Sequence, residues 1–120
     1  IELWYADRIK VFHNTIWRPE RNWSRGIRVG RGTANTEIAN NLVHGEIRLE
    51  GGQAKLGQNM AARLDRYFVD PASGNLSLTS AAVGAINKRE PLSDVADDIR
   101  RYARARQPDL GAWEFDSSSK

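Results

Sequence analysis

The stretch "IRVGRGTANTEIANNLV", residues 27–43, is the middle one of three segments that share a pattern. It aligns with "IELWYADRIKVFHNTIW", residues 1–17, and with "IRLEGGQAKLGQNMA", residues 47–61. A unit that recurs at this spacing indicates a repeat architecture, in which each copy buries its apolar side chains only against its neighbours. The three segments therefore predict a stack of similar structural units.

Alternating columns in this alignment predict strands. The first apolar column holds Ile1, Ile27 and Ile47, a charged column holds Glu2, Arg28 and Arg48, and the next apolar column holds Leu3, Val29 and Leu49. This period of two is typical of a β-strand. A later apolar column, formed by Val11, Ile38 and Leu56, predicts a second strand in each segment.

An asparagine column follows three residues after this apolar column, at Asn14, Asn41 and Asn59. Asparagine tolerates the left-handed backbone region, and its side-chain amide can bond to the asparagine of the next unit. Strand, turn, strand and asparagine bend together predict an all-β fold, a right-handed parallel β-helix (solenoid) with an asparagine ladder over residues 1–66. The alternative is a chance match between three short segments.

The second half carries further motifs, and residues 67–120 are predicted to form the final coil and the C-terminal cap of the same domain. They include "FVDPASGNLSL" at 68–78, "SAAVGAIN" at 80–87 and "PDLGAWE" at 108–114. With "VFHNTI" at 11–16 and "IANNLV" at 38–43, the chain resembles right-handed parallel β-helix proteins of the polysaccharide lyase and carbohydrate-active type. Tails of that family read approximately "FVDPANGDFHL", "SPAIDAG" and "PDIGAYE".

The tail also departs from the family pattern. Arg100 and Arg101 stand where the family tends to have Asp and Gly. Ser93 or Asp94 could instead cap a helix through "VADDIRRYARAR", with acidic residues in its first turns and arginines in its last. A short helix in the tail is therefore kept as an alternative. The closing Leu110, Ala112 and Trp113 are expected to cover the last apolar coil.

The resemblance implies the C-terminal portion of a polysaccharide lyase that cleaves an acidic, uronate-containing polysaccharide by β-elimination. It also implies a secreted, periplasmic or cell-surface location, and much of the active site lying in coils upstream of Ile1. The upstream part of the same protein, or another copy, is expected to cover the N-terminal coil. A non-catalytic glycan-binding module or surface adhesin is the alternative.

Rows of charge supply the catalytic candidates, because side chains of one column lie about 4.8 Å apart on successive coils. One row is Lys10, Glu37 and Lys55, and the other contains Arg28 and Arg48. Positive charge can neutralise a uronate carboxylate, and a base can then remove the neighbouring proton. His13 is a further acid or base candidate. The alternatives are opposite charges that pair along a solvated face, and a structural histidine.

The loop "RPERNWSRG", residues 18–26, supplies the candidates for substrate binding. Aromatic rings stack on sugars, and arginine binds carboxylates with two parallel hydrogen bonds. The candidates are Trp17, Arg18, Arg21, Trp23 and Arg25. The alternative is that the tryptophans cover the apolar flank of the stack.

Composition limits the other function classes. The chain has 18 basic and 15 acidic residues, so a net charge of +3 gives weak support for nucleic-acid binding. That class depends on "RRYARAR", residues 100–106, and nucleic acid is not an expected partner. The absence of cysteine excludes disulfides and thiol chemistry. No membrane span and no metal ligands are predicted; Ca²⁺ is a candidate cofactor by resemblance alone.

Overall fold

The computed structural model describes residues 1–17, 26–86 and 91–116. The described part is all-β, with short strands and a one-turn 3-10 helix at Pro71–Ser73. The strands are β1 (Glu2–Leu3), β2 (Lys10–Phe12), β3 (Thr15–Trp17), β4 (Ile27–Gly30), β5 (Glu37–Ala39), β6 (Leu42–His44), β7 (Ile47–Glu50), β8 (Lys55–Gly57), β9 (Met60–Ala62), β10 (Phe68–Asp70) and β11 (Asn75–Leu78).

The first nine strands form three parallel sheets of three strands each. Their orders are β1-β4-β7, β2-β5-β8 and β3-β6-β9, so the chain makes three passes and adds one strand to every sheet on each pass. The pairing matches the aligned columns: Leu3 lies beside Val29 and Val29 beside Leu49. Val11, Ile38 and Leu56 are paired in the same way. This arrangement of stacked parallel strands is compatible with a parallel β-helix.

The third strand of each pass is absent from the sequence prediction, which had two strands per repeat. β3, β6 and β9 follow directly after the asparagine column and are three residues long. The strands of the second sheet are equally short, but their middle position is apolar in every pass, whereas the third sheet aligns Thr15 with Leu42 and Met60 and aligns Trp17 with His44 and Ala62. Columns of such mixed residue types do not indicate a strand. The third sheet is nevertheless the centre of the molecule, because apolar side chains pack on both of its faces.

Two apolar clusters lie on opposite sides of this third sheet. Val43 of β6 packs with the cluster inside the three sheets, which also contains Val11, Ile27, Val29 and Ile38. Leu42, its neighbour in sequence, packs with the other cluster, which contains Leu64, Phe68, Leu78, Ala82, Ala85 and Leu110. Successive residues of a strand point to opposite faces, so one short strand contributes to both clusters.

The tail packs beside the sheets, and this corrects the expectation that its closing residues cover the last coil. β10 and β11 pair antiparallel, and Leu110 packs on the outer face of the third sheet. Leu49 and Leu56, which continue the inner apolar columns on the last pass, remain 49% and 47% exposed. Since the tail follows the side of the stack, no other described strand pairs with the outer edge of β7, β8 or β9.

The alternative helix in the tail does not form within residues 91–116. Asp97 instead bridges Ala103 in antiparallel fashion, and the Asp98 N–H donates to the Tyr102 carbonyl. The Asp98 carboxylate accepts the N–H groups of Arg100 and Tyr102, at 2.8 and 3.0 Å. An aspartate that bonds to nearby backbone amides competes with a helix for them. The spacing of apolar residues could not reveal this competition.

Candidate functional site

Two turns connect the three sheets in every pass. The first corner joins the first strand to the second and comprises residues 4–9, 31–36 and 51–54. The second corner joins the second strand to the third and comprises residues 13–14, 40–41 and 58–59. The second corner has the same length in all three passes, whereas the first corner varies. Of the predicted site residues, His13 and the asparagine column lie on the second corner, and Lys10 and Lys55 begin the strands that follow the first corner.

Left-handed backbone occurs at the second corner, one residue before the asparagine column. His13, Asn40 and Gln58 have φ angles of 54°, 58° and 56°. The sequence pattern had suggested this conformation for the asparagines of the column themselves. The shift is informative, because the asparagine side chains are then free to point along the stack and the preceding residue makes the bend.

The asparagine column forms a continuous chain of hydrogen bonds. The backbone N–H and Nδ2 of Asn14 both donate to Oδ1 of Asn41, at 2.8 and 3.0 Å. The same groups of Asn41 donate to Oδ1 of Asn59, at 3.1 and 2.8 Å. Asn41 Nδ2 also donates to the Val11 carbonyl at 2.8 Å. These amides are occupied by one another, so their role at this corner is structural.

The arginine row on the first sheet is neutralised by carboxylates. Arg28 pairs with Glu2 at 3.2 Å and with Glu50 at 2.6 Å. Arg48 pairs with the same Glu50 at 3.2 Å. The hydrogen bond from Arg28 to Glu50 raises the pKa of Arg28. Both predicted catalytic arginines therefore sit in a charge ladder of the kind that stabilises neighbouring strands.

The lysine row on the second sheet is different, because among the described residues only one of its lysines has an ion-pair partner. Lys10 Nζ donates to Asp94 Oδ2 at 2.8 Å, and this bond raises the pKa of Lys10. Glu37 lies between Lys10 and Lys55 in the strand register. Within the described ranges the Lys55 ammonium forms no ion pair. Lys55 is thus a cation of the predicted set that stays available to a ligand.

A surface groove of about 490 Å³ lies where the first corner meets the second sheet. It places one carboxylate, one ammonium and two carboxamides around a common space. Its lining residues are Asn35, Thr36, Glu37, Gln53, Ala54 and Lys55. Polar groups of this kind can hydrogen-bond the hydroxyl and carboxylate groups of a sugar. Sequence reasoning found Lys55 but missed the amides, because they lie outside the strand columns.

Two exposed aromatic rings belong to the same corner. Trp4 is 49% exposed and Tyr5 is 70% exposed. A Cβ atom at Gly30 would lie 2.6 Å from the Trp4 ring, and one at Gly32 would overlap the Tyr5 ring. Glycine at these two positions therefore lets each ring lie against the backbone of the next pass. In the alignment Gly30 falls opposite Trp4, which is a sequence signal for one of the two contacts, whereas Gly32 is offset by one residue from Tyr5.

The predicted substrate-binding residues are only partly visible. Trp17 is partly buried against the outer apolar cluster, with its ring centre 4.2 Å from that of His44 and 5.8 Å from that of Phe68. This position matches the alternative in which a tryptophan covers an apolar flank. Arg18, Arg21, Trp23 and Arg25 lie outside the described residues.

His13 is buried at the second corner, with 4% of its surface exposed. Its Nδ1 lies 3.2 Å from the Gly111 carbonyl, and its Nε2 lies 3.3 Å from Asn40 Nδ2. Burial, together with the nearby Arg104 guanidinium, lowers the pKa of His13 to about 4. A ligand in the groove does not reach this ring, and the corner uses it as a packed, neutral side chain.

Metal sites and membrane spans were both considered for the described residues. In this part of the chain, no three His, Asp or Glu side chains come together as a metal site would require. No helix among the described residues is long and apolar enough to span a bilayer.

The fold and the groove define a class of protein, an all-β chain of stacked parallel strands with a polar groove at one corner. Comparison with protein-family models, with curated proteins and with solved structures gives no significant match. The function is therefore inferred from the site itself.

Proposed function

We propose that the three sheets are the final turns of a right-handed parallel β-helix, and that the protein binds an acidic polysaccharide at the first corner. The observation that carries this proposal is the groove containing Lys55, which has no ion-pair partner among the described residues, on the corner that also exposes Trp4 and Tyr5. Fold and sequence motifs give further support through the resemblance to carbohydrate-active β-helix proteins.

The chemistry of the corner suits a uronate chain. The Lys55 ammonium attracts a sugar carboxylate, while the Gln53 amide and Oδ1 of Asn35, whose Nδ2 donates to Asp7 at 2.8 Å, can bond to hydroxyl groups. Aromatic rings that rest on glycine backbone lose little conformational freedom when a sugar ring packs against them. The arginines of the first sheet contribute less, since their charge is already balanced by Glu2 and Glu50.

β-Elimination is a second candidate, favoured by the unpaired state of Lys55 among the described residues. In this reaction a base removes the proton next to the uronate carboxylate, the electron pair forms a carbon–carbon double bond, and the glycosidic oxygen leaves. Lys55 is the residue of the predicted catalytic set that is placed to approach a ligand in the groove. Catalytic groups on coils upstream of Ile1 would complete such a site.

An additional turn is proposed to lie against β1, β2 and β3, supplied by an upstream part of the same protein or by another copy. In the ladder, each Oδ1 accepts from the preceding pass. Within the described residues no donor faces Asn14 Oδ1, which is the acceptor that an earlier turn would use. Secretion or display at the cell surface is part of the same proposal, because polysaccharides of this kind are extracellular.

Binding is tested by calorimetric titration with pectate or alginate oligomers. Lys55→Ala is expected to raise Kd about tenfold, as is usual for the loss of a charge-assisted contact. Lys10→Ala is the matched control, since it removes a lysine of the same row that is held by Asp94. We expect it to change Kd less than about threefold. Equal effects of the two variants would contradict the assignment of the groove.

The elimination reaction has its own readout. The unsaturated product absorbs in the ultraviolet, so incubation with pectate, alginate or a glycosaminoglycan separates a lyase from a binding module. Rising absorbance that is lost in Lys55→Ala supports the reaction. Binding without any rise in absorbance supports the non-catalytic module.

A further inference from the structure

The segment 108–113 docks against the second corner through backbone hydrogen bonds. The Gly111 N–H donates to the Asn40 carbonyl at 2.9 Å, and the Ala112 N–H donates to Thr15 Oγ1 at 2.8 Å. Gly111 has a φ of +80°, and a Cβ there would overlap Thr15 Oγ1. The segment therefore packs closely against the corner, and an added atom at this contact would displace its backbone.

The His13 ring lies inside this contact, and its two partners define its tautomer. A carbonyl oxygen only accepts, so Nδ1, which faces the Gly111 carbonyl, carries the hydrogen. Nε2 is then the acceptor of the hydrogen bond from Asn40 Nδ2. Both ring nitrogens are satisfied in the neutral imidazole, and both partners belong to the docked arrangement.

A second proton on the ring would sit on Nε2, which faces the Asn40 Nδ2. Burial and the Arg104 guanidinium disfavour the protonated ring, and they outweigh the backbone carbonyl groups of Gly111 and Asp109, which favour it. The facing cation is Arg104, whose guanidinium donates to the same Gly111 carbonyl at 3.1 Å. The carboxylates that approach from the tail are engaged elsewhere: Glu114 binds Arg104 at 2.9 Å, and Asp109 accepts the Phe115 N–H at 2.6 Å.

We propose that residues 108–113 form an acid-released latch, which stays docked on the second corner only while the His13 imidazole is neutral. Acidification protonates His13 in the undocked state and so favours release. The same tail also carries Asp94, which pairs with Lys10 at the end of the lysine row. A release that extended to Asp94 would free a second ammonium group in that row.

The pH window follows from the two states of His13. The pKa is about 4 when the segment is docked and about 6.5 when the ring is in water. A lowered pKa means that docking is fully favoured above pH 6.5 and is weakened as the pH falls toward 4. At about pH 5 the docking equilibrium is expected to be weaker by about 30-fold than at about pH 8.

Hydrogen exchange of peptide 108–113 at about pH 8, 6 and 5, corrected for intrinsic exchange rates, tests the latch on the whole chain. The protection of the wild-type segment should fall by about 30-fold between the highest and the lowest pH. His13→Gln should abolish this fall, because glutamine does not titrate. Gln58 already occupies the equivalent left-handed position in the third pass, so the backbone accepts this residue.

Asn40→Asp and His44→Gln complete the test. The carboxylate introduced by Asn40→Asp would accept a hydrogen bond from protonated His13, which raises the pKa of the docked ring and should make the fall in protection smaller. His44 is the other buried histidine, at the third sheet, and His44→Gln should leave the fall unchanged.

Two results overturn the latch. One is protection of the wild-type segment that does not fall on acidification, or that falls equally in His13→Gln. The other is a fall that is abolished by His44→Gln and kept in His13→Gln, because the titration would then belong to the other histidine.

Discussion

The second corner and the first corner connect the same three passes, but they are built differently. The second corner has one length, one left-handed residue per pass and an asparagine chain whose amides bond to one another. The first corner changes length, rests two aromatic rings on glycines and leaves a polar groove open. Satisfied polar groups hold the stack together at one corner, and polar groups left open to solvent can bind a ligand at the other.

Asn41→Ala is expected to have the largest effect on stability. The Asn41 side chain serves Asn14, Asn59 and the Val11 carbonyl, and its removal leaves buried polar groups unsatisfied. We expect a loss of about 4 kcal/mol in the free energy of unfolding, measured by urea denaturation. Asn59→Ala, at the half-buried end of the chain of amides, removes three hydrogen bonds instead of four and should cost about 2 kcal/mol. A loss below about 1 kcal/mol for Asn41→Ala would show that the ladder does not stabilise the stack.

Gly111→Ala is expected to cost slightly less, about 3 kcal/mol, because it combines backbone strain with a steric overlap at Thr15. Gly74→Ala is the matched control. Gly74 also has a positive φ, +88°, but no atom lies within 4 Å of its added Cβ. Strain alone should then cost about 1 kcal/mol. If thermal denaturation gives the same loss for both variants, the fit of the latch to the second corner is wrong.

Trp4→Ala tests the first corner, where ligand binding should change more than folding. The ring is half exposed, so we expect stability to fall by less than about 1 kcal/mol. The Kd for a pectate or alginate oligomer should rise about fivefold through the loss of ring stacking. Calorimetric titration measures the affinity, and a melting curve of the same sample measures the stability. An unchanged Kd would remove the aromatic rings from the site.

Arg48→Ala should have the smallest effect. Its ion pair with Glu50 is partly exposed, and Glu50 keeps Arg28 as a closer partner. Exposed ion pairs contribute little, so the expected loss is below about 0.5 kcal/mol. The loss should shrink further in about 0.5 M salt, because salt screens exposed charges. A loss above about 2 kcal/mol would mean that the ion pairs of the arginine row are a major source of the stability of the stacked sheets.

The parts of the fold that repeat were predictable from the sequence. Apolar residues spaced two apart and the recurring asparagines are enough to align the columns, and the pairing of Val11, Ile38 and Leu56 follows this alignment. The third sheet was missed because its aligned positions change residue type from pass to pass, as in Trp17, His44 and Ala62. The position of the tail was missed because an apolar residue such as Leu110 can cover either the last coil or the side of the stack, and the sequence pattern is the same in both cases.

The candidate site was predictable only where it coincides with a strand column. Lys55 is in such a column and lines the groove. It is available to a ligand because no carboxylate among the described residues pairs with it. The spacing of residues in the sequence does not reveal this lack of a partner. Lys10 occupies the same column but pairs with Asp94, which lies 84 residues away in sequence. His13 was a reasonable acid or base by residue type, yet burial and Arg104 hold it neutral. Contacts with segments distant in sequence therefore decide which of these three residues is available to a ligand.

The most direct test of the difference between the corners is an amide chemical-shift titration of the isotope-labelled protein with a pectate oligomer. The account predicts that shifts concentrate at Asn35, Glu37, Gln53 and Lys55, around the groove. Residues 13–14, 40–41 and 58–59 of the second corner should stay unchanged. Shifts centred on the second corner would contradict the account, and so would the absence of any shift at saturating oligomer.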